Sequence, residues 1–245
     1  MRLDRLVSQH SGSSRREVTG WIRAKRLTVN GVVVRDAGYA VATGVDIVLL
    51  DGALVRAPFE LTLMLHKPAG CVSATEDTQH QTVLDLLPAA LRRPGLAPIG
   101  RLDKDTTGLL LLTTDGSLQH LIAHPRRKVE KVYRATLLPD TLEPDAEARF
   151  AAGIVLADGS VCRPALLQRL PADRVLVTVV EGKYHQVKRM LGACGGHVTA
   201  LHRQQVGPLR LDSDLAEGEA RPLSPAEVEA LRAAASDPVR AGERP

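Results

Sequence analysis

An α+β chain in two parts is what this sequence predicts, and three observations carry the prediction. From Leu61 onward, short apolar runs, most of them too short and too β-branched for helices, alternate with loops. Helical spacings are interspersed among them without a repeating strand–helix–strand unit, which argues against a doubly wound parallel sheet. The first 35 residues hold eight basic side chains and two acids, a balance of 8 − 2 = +6 against +4 for all 245 residues. A compact basic module therefore precedes a larger, mildly charged part.

The module opens with two short helices. Leu3, Leu6 and Val7 have helical spacing, as do Val18 and Ile22 with Trp21 loosely beside them. Ser14 suits an N-cap, and Glu17 three residues later completes a capping-box spacing. Leu27-Thr28-Val29 and Val32-Val33-Val34 read as strands joined by the turn Asn30-Gly31. Residues 46–50 read as a further strand leaving through Asp51-Gly52, and 53–58 as a linker. The expected domains are 1–58 and 59–235, with a disordered polar tail at 236–245. In the second domain strands are expected at 61–65, 96–99, 108–113, 130–138, 164–170, 174–180 and 197–206. Helices are expected at 82–87, 116–123, 142–151, 184–194 and 224–235. The sheet should be mixed and mainly antiparallel, with flanking helices.

Composition narrows the class. The chain is 44% hydrophobic and 24% charged, with 35 Gly plus Pro, which excludes a collagen-like, low-complexity or disulfide-framework protein. No run approaches the ~18–20 apolar residues of a membrane span. The opening Met1-Arg2-Leu3-Asp4-Arg5 carries an acid and lacks a signal-peptide core. Cys71, Cys162 and Cys194 are widely spaced and form no Cys-x-x-Cys pair, so they read as reduced thiols of a cytoplasmic protein that binds no membrane.

Three polar motifs carry candidate chemistry. Gly100-Arg101-Leu102-Asp103-Lys104-Asp105-Thr106-Thr107-Gly108 is a charged loop entering the apolar run Leu109 to Leu112, which sets Asp103 beside a sheet. Its plain alternative is a loop of turns and caps. Glu181-Gly182-Lys183-Tyr184-His185-Gln186-Val187-Lys188-Arg189-Met190 breaks a strand at Gly182 and starts a basic helix. In Lys131-Val132-Tyr133, Tyr133 shares a strand face with Lys131 and Ala135. Rival signals fail. His120 and His124 have zinc-helix spacing, but Leu121 stands where a zinc protease needs Glu, and no phosphate loop or dinucleotide fingerprint is present. No metal or cofactor is expected.

As a set, these residues resemble the pseudouridine synthases that join an S4 RNA-binding domain to a catalytic domain. Arg2-Leu3-Asp4, Ser14-Arg15-Arg16, Ile22 and Val29-Asn30-Gly31 resemble the S4 domain. His66-Lys67-Pro68-Ala69-Gly70 resembles the branch's opening element, with His66 where Asn is more usual. Gly100-Arg101-Leu102-Asp103 resembles its catalytic loop, and Lys131-x-Tyr133 and His185-Gln186-Val187-Lys188-Arg189 its tyrosine and basic motifs. Asp105-Thr106-Thr107, Gly196-His197-Val198 and Leu201-His202-Arg203 favour members acting on uridine 516 of 16S rRNA over large-subunit members.

The resemblance implies an rRNA-modifying isomerase. Asp103 would act at the ribose, as nucleophile at C1′ or base at C2′. Lys188 would keep Asp103 ionised, Tyr133 would stack on the uracil, and Arg101 would help extrude the uridine. RNA contacts would come from Arg2, Arg5, Ser14, Arg15, Arg16, Lys25, Arg26 and Asn30 of the S4 part, and from His185, Gln186 and Arg189. The expected partner is 16S rRNA or a small-subunit ribonucleoprotein assembly intermediate, met by a monomer. A large-subunit synthase and a non-catalytic S4-type assembly factor are the alternatives. The second predicts loss of Asp103, Tyr133 or Lys188, and all three are present.

Overall fold

The computed structural model describes residues 1–42, 45–55 and 60–236. The chain divides into two compact units, Met1–Glu60 and Leu61–Pro245.

In the first unit, helices α1 (Leu3–Ser11) and α2 (Arg15–Arg23) share a core with a four-stranded antiparallel sheet ordered β2-β1-β3-β4. The strands are β1 (Leu27–Val29), β2 (Val32–Val33), β3 (Val48–Leu50) and β4 (Ala53–Val55). The capping box at Ser14 and Glu17 is formed in both directions. Asn30 and Gly31 both take positive φ, 51° and 81°, as the tight turn between Val29 and Val32 requires. Asp51 and Gly52 repeat the device at φ 50° and 83°. That second turn sends the chain back along β3, so residues 53–55 form a strand rather than linker, with Val55 paired to Val48. The rest of the expected linker, 56–58, lies outside the described residues.

The second unit is built on a nine-stranded sheet of β5 (Thr62–Lys67), β6 (Ala97–Pro98), β7 (Thr107–Thr113), β8 (Lys131–Leu137), β9 (Leu166–Leu170), β10 (Arg174–Val179), β11 (Val198–Val206), β12 (Leu209–Arg210) and β13 (Ala220–Pro222). Its main order is β13-β5-β7-β11-β8-β10-β9, with β6 on β7 and β12 on β11. The β7–β11 pair is parallel, and the other described pairs are antiparallel. Helices α3 (Gly116–Ala123), α4 (Ala146–Ala152), α5 (Gln186–Ala193) and α6 (Pro225–Ser236) flank it. The run Leu109 to Leu112 lacks polar alternation because both faces of β7 are covered. Leu110 and Leu112 enter one core with Phe150 and Met190, while Leu109 and Leu111 enter another with Leu118 and Leu231.

Three helix expectations change. Residues 82–87 are turns, because the Asp85 carboxylate accepts from both Thr82 N and Thr82 Oγ1 at 2.8 Å and Pro88 follows. The helix expected from 142 starts at Ala146, and the one expected from 184 starts at Gln186, because His185 sits at φ 49°. Ser236 ends α6, and the rest of the expected tail lies outside the described residues.

Candidate active site

The site is assembled around the loop between β6 and β7. Lys67, at the end of β5, is fully buried, and its ammonium donates to the carbonyls of Pro68 (2.9 Å), Thr106 (2.9 Å) and Lys104 (3.3 Å). Gly70 N donates to the same Lys104 carbonyl at 2.8 Å. On the other side of Asp103, Ser73 Oγ donates to Leu102 O at 2.9 Å and accepts from Leu102 N at 3.0 Å. Asp103 is thus held by the backbone on both sides. Burial lowers the Lys67 pKa, opposed by the nearby Cys71, Asp105 and Asp103.

The far wall depends on a glycine. Gly108 sits at φ 106° where β7 meets β11, and a Cβ there would lie 2.3 Å from the Arg203 carbonyl oxygen. Only glycine lets the strands close in this register. The closure seats Arg203, 3% exposed, with Nε donating to Leu109 O at 2.7 Å and Nη1 to the Tyr133 hydroxyl at 3.3 Å. The guanidinium carbon stands 5.8 Å from the centre of the Tyr133 ring. Lys131, two residues before Tyr133, has its pKa pushed down to about 8 by burial and by Arg203.

From α5, Lys188 Nζ stands 3.7 Å from Asp103 Oδ2, and His185 Nε2 stands 3.4 Å from Asp103 Oδ1. Lys188 is nearer to Asp105, at 2.6 Å, and that hydrogen bond draws the Asp105 pKa down. The ammonium expected to serve Asp103 is therefore shared with Asp105. Asp103, Arg101, Tyr133, Lys131, Arg203 and His185 all line one cleft of about 690 Å³, within the ~300–1,000 Å³ usual for small-molecule sites. Arg101 is exposed at this cleft.

Some expected RNA contacts are engaged elsewhere. Gln186 is buried, its amide donating to Glu181 Oε1 at 2.8 Å and accepting from Lys183 N at 2.9 Å, so it fixes the loop instead of facing solvent. Arg189 pairs with Asp158 at 2.6 Å. In the first unit the Ser14 hydroxyl serves the capping box, and the Asn30 amide holds Asp46 and Ile47 N. Arg2 and Arg15 both bind Asp4, and Arg26 binds Asp51. Arg5 is half-buried, whereas Arg16 and Lys25 are exposed. Lys67, Ser73 and Arg203 were not singled out from sequence as site residues. A lysine closing the run Leu63-Met64-Leu65 is the signal that marks Lys67.

The model of the RNA pseudouridylate synthase family matches residues 61–193, and that of the S4 domain matches residues 1–47. The chain is 42% identical to the ribosomal small subunit pseudouridine synthase A of Escherichia coli strain K12, across 93% of this chain and 98% of that protein. It is 38% identical to the protein of the same name from Haemophilus influenzae, across 94% and 99%. A crystal structure of a pseudouridylate synthase superposes with a TM-score of 0.67 at 37% identity, covering 94% of this chain and 99% of the other.

Proposed function

Because the chain belongs to the RNA pseudouridylate synthase family, we propose that its substrate is small-subunit ribosomal RNA, at uridine 516 of 16S rRNA, within an assembly intermediate. The near full-length identity to small-subunit synthases supports the choice of subunit. The observation that carries the active-site assignment is a carboxylate clamped by its own backbone in a cleft that also holds Tyr133, Lys131 and Arg203, with Lys188 3.7 Å from the carboxylate.

The reaction breaks C1′–N1 and C5–H and forms C1′–C5 and N1–H, so the atoms balance without oxidant or group donor. Asp103 acts at the ribose, and either attack at C1′ or proton removal at C2′ needs it ionised. Lys188 Nζ and His185 Nε2 face its two oxygens at 3.7 and 3.4 Å. Tyr133, fixed by Arg203, offers its ring to the uracil while the base turns. Reaching the cleft requires the uridine to leave its stack, and exposed Arg101 is placed to fill the gap.

The test is pseudouridine mapping of both rRNAs in a strain lacking the gene, with the gene restored as control. Loss confined to position 516 of 16S rRNA is expected. Loss at a 23S site with 16S intact would move the substrate to the large subunit. Unchanged mapping alongside defective subunits would favour an assembly factor.

A further inference from the structure

The proposed mechanism leaves Tyr184 without a role. This chain has only three tyrosines, one tryptophan and two phenylalanines, yet Tyr184 is 76% exposed. Its ring lies on the His185 imidazole, with centroids 3.8 Å apart and planes 17° from parallel. His185 is held at φ 49°, a left-handed conformation unusual for a non-glycine residue. The imidazole also faces Asp103 Oδ1 at 3.4 Å. Asp103, His185 and Tyr184 therefore form a ladder from the carboxylate out to solvent, and all three line the cleft. Lys183, next to Tyr184 in sequence, lines the same cleft and brings positive charge to it.

We propose that Tyr184, backed by His185, is a stacking platform for the base next to the extruded uridine. An exposed π-face among cations is the chemistry that grips an unpaired nucleotide, because every base offers a face for stacking while cations hold its phosphate. Extrusion of one uridine removes a stacking partner from its neighbour. A ring at the cleft mouth replaces that partner and fixes the distance from neighbour to Asp103. Tyr184 is a positioning residue, and its hydroxyl has no part in the role.

The inference rests on the synthase reading, so the experiment keeps the two apart. Wild-type enzyme is assayed first on a small-subunit ribonucleoprotein, and failure to form pseudouridine there would remove the synthase reading itself. With wild type active, Tyr184→Ala should raise KM about 5- to 150-fold, the range of one lost base–aromatic stack. The single-turnover rate at saturating RNA should change less than about threefold, and Tyr184→Phe should restore the wild-type KM. The slope of log Kd against log salt should match wild type, because no phosphate contact is lost. A KM within twofold of wild type in Tyr184→Ala would overturn the proposal. So would a Tyr184→Phe variant as weak as Tyr184→Ala, or a flattened salt slope.

Discussion

The tripeptide Arg-Leu-Asp occurs three times in the chain, and two copies in different units have opposite fates. In Arg2-Leu3-Asp4 the side chain is 6% exposed, and its carboxylate accepts from Arg15 Nη2 at 2.6 Å and from Arg2 Nη2 at 3.0 Å. In Arg101-Leu102-Asp103 the side chain is 27% exposed, and the nearest side-chain nitrogens, of His185 and Lys188, stand at 3.4 and 3.7 Å, beyond good hydrogen-bond length. The third copy, Arg210-Leu211-Asp212, follows the first pattern, with Asp212 bound to Arg221. A carboxylate whose lone pairs are filled by guanidinium donors is a structural element. One that is held by its backbone, with no donor within good hydrogen-bond length of its oxygens, can react.

The sharpest way to break that contrast is to remove the charge at Asp103. Asp103→Asn keeps shape and loses nearly all nucleophilicity, so pseudouridine formation should fall by more than ~10⁴-fold, beyond the ~10²–10⁴ of an assisting acid or base. RNA binding and thermal stability should persist, and stability may be checked by calorimetry on the same samples. Turnover within tenfold of wild type would place the reacting group elsewhere.

Lys188→Met comes next, at about 10²–10³-fold in single-turnover rate, the scale of losing one preorganised electrostatic partner. The variant also releases Asp105, which is 74% exposed and whose pairing solvent screens. Asp105→Asn should therefore cost less than about tenfold. Equal losses in Lys188→Met and Asp105→Asn would mean that the 2.6 Å pair, and not the 3.7 Å approach to Asp103, is what catalysis uses.

Sequence reading reached this site unevenly, for physical reasons. Turn chemistry is local, so the Asn30-Gly31 turn and the Ser14 cap were legible. The Asp103, Tyr133 and Lys188 motifs could be read because each is a short contiguous string. Lys67 and Arg203 act through contacts far along the chain, with Lys104 and Leu109 respectively, so a local pattern can mark the residue but not the carbonyl it clamps. The expected helix at 82–87 failed because one carboxylate, Asp85, captured both donors of Thr82 and stabilised turns instead.

At Asp4 the expected effect falls on stability. Burial raises the Asp4 pKa, but the hydrogen bonds and charges of Arg2 and Arg15 outweigh it and leave it below the ordinary 3.8. A lowered carboxyl pKa contributes stability that is present above the unfolded value and lost as pH falls through the folded one. The first unit should therefore weaken as pH drops below about 4. Asp4→Asn should cost ~1–3 kcal/mol at pH 7 and flatten that decline. Trp21, the single tryptophan, lies in α2 and reports unfolding of this unit by fluorescence in urea. A variant with the wild-type midpoint and the same acid profile would show Asp4 to be dispensable.

The smallest effect separates two neighbours that net charge treats as equal. Arg15 is bound to Asp4, while Arg16 is exposed beside it on α2. If the +6 charge of the first 35 residues grips phosphate, only cations not already committed to carboxylates can release counterions fully on binding. Arg16→Ala should weaken binding to rRNA fragments by less than about tenfold. It should lower the magnitude of the slope of log K against log salt by ~0.7–0.9, one phosphate contact. The unfolding free energy read from Trp21 in urea should stay within ~0.5 kcal/mol of wild type, as for a surface change. Arg15→Ala should do the reverse, lowering the midpoint because Asp4 loses its shortest donor while the salt slope moves less. Parallel salt titrations and urea melts of the two variants decide it. Equal slopes and equal midpoints would mean that the Asp4 pairing does not divide structural from RNA-binding arginines, and that charge count alone describes this unit.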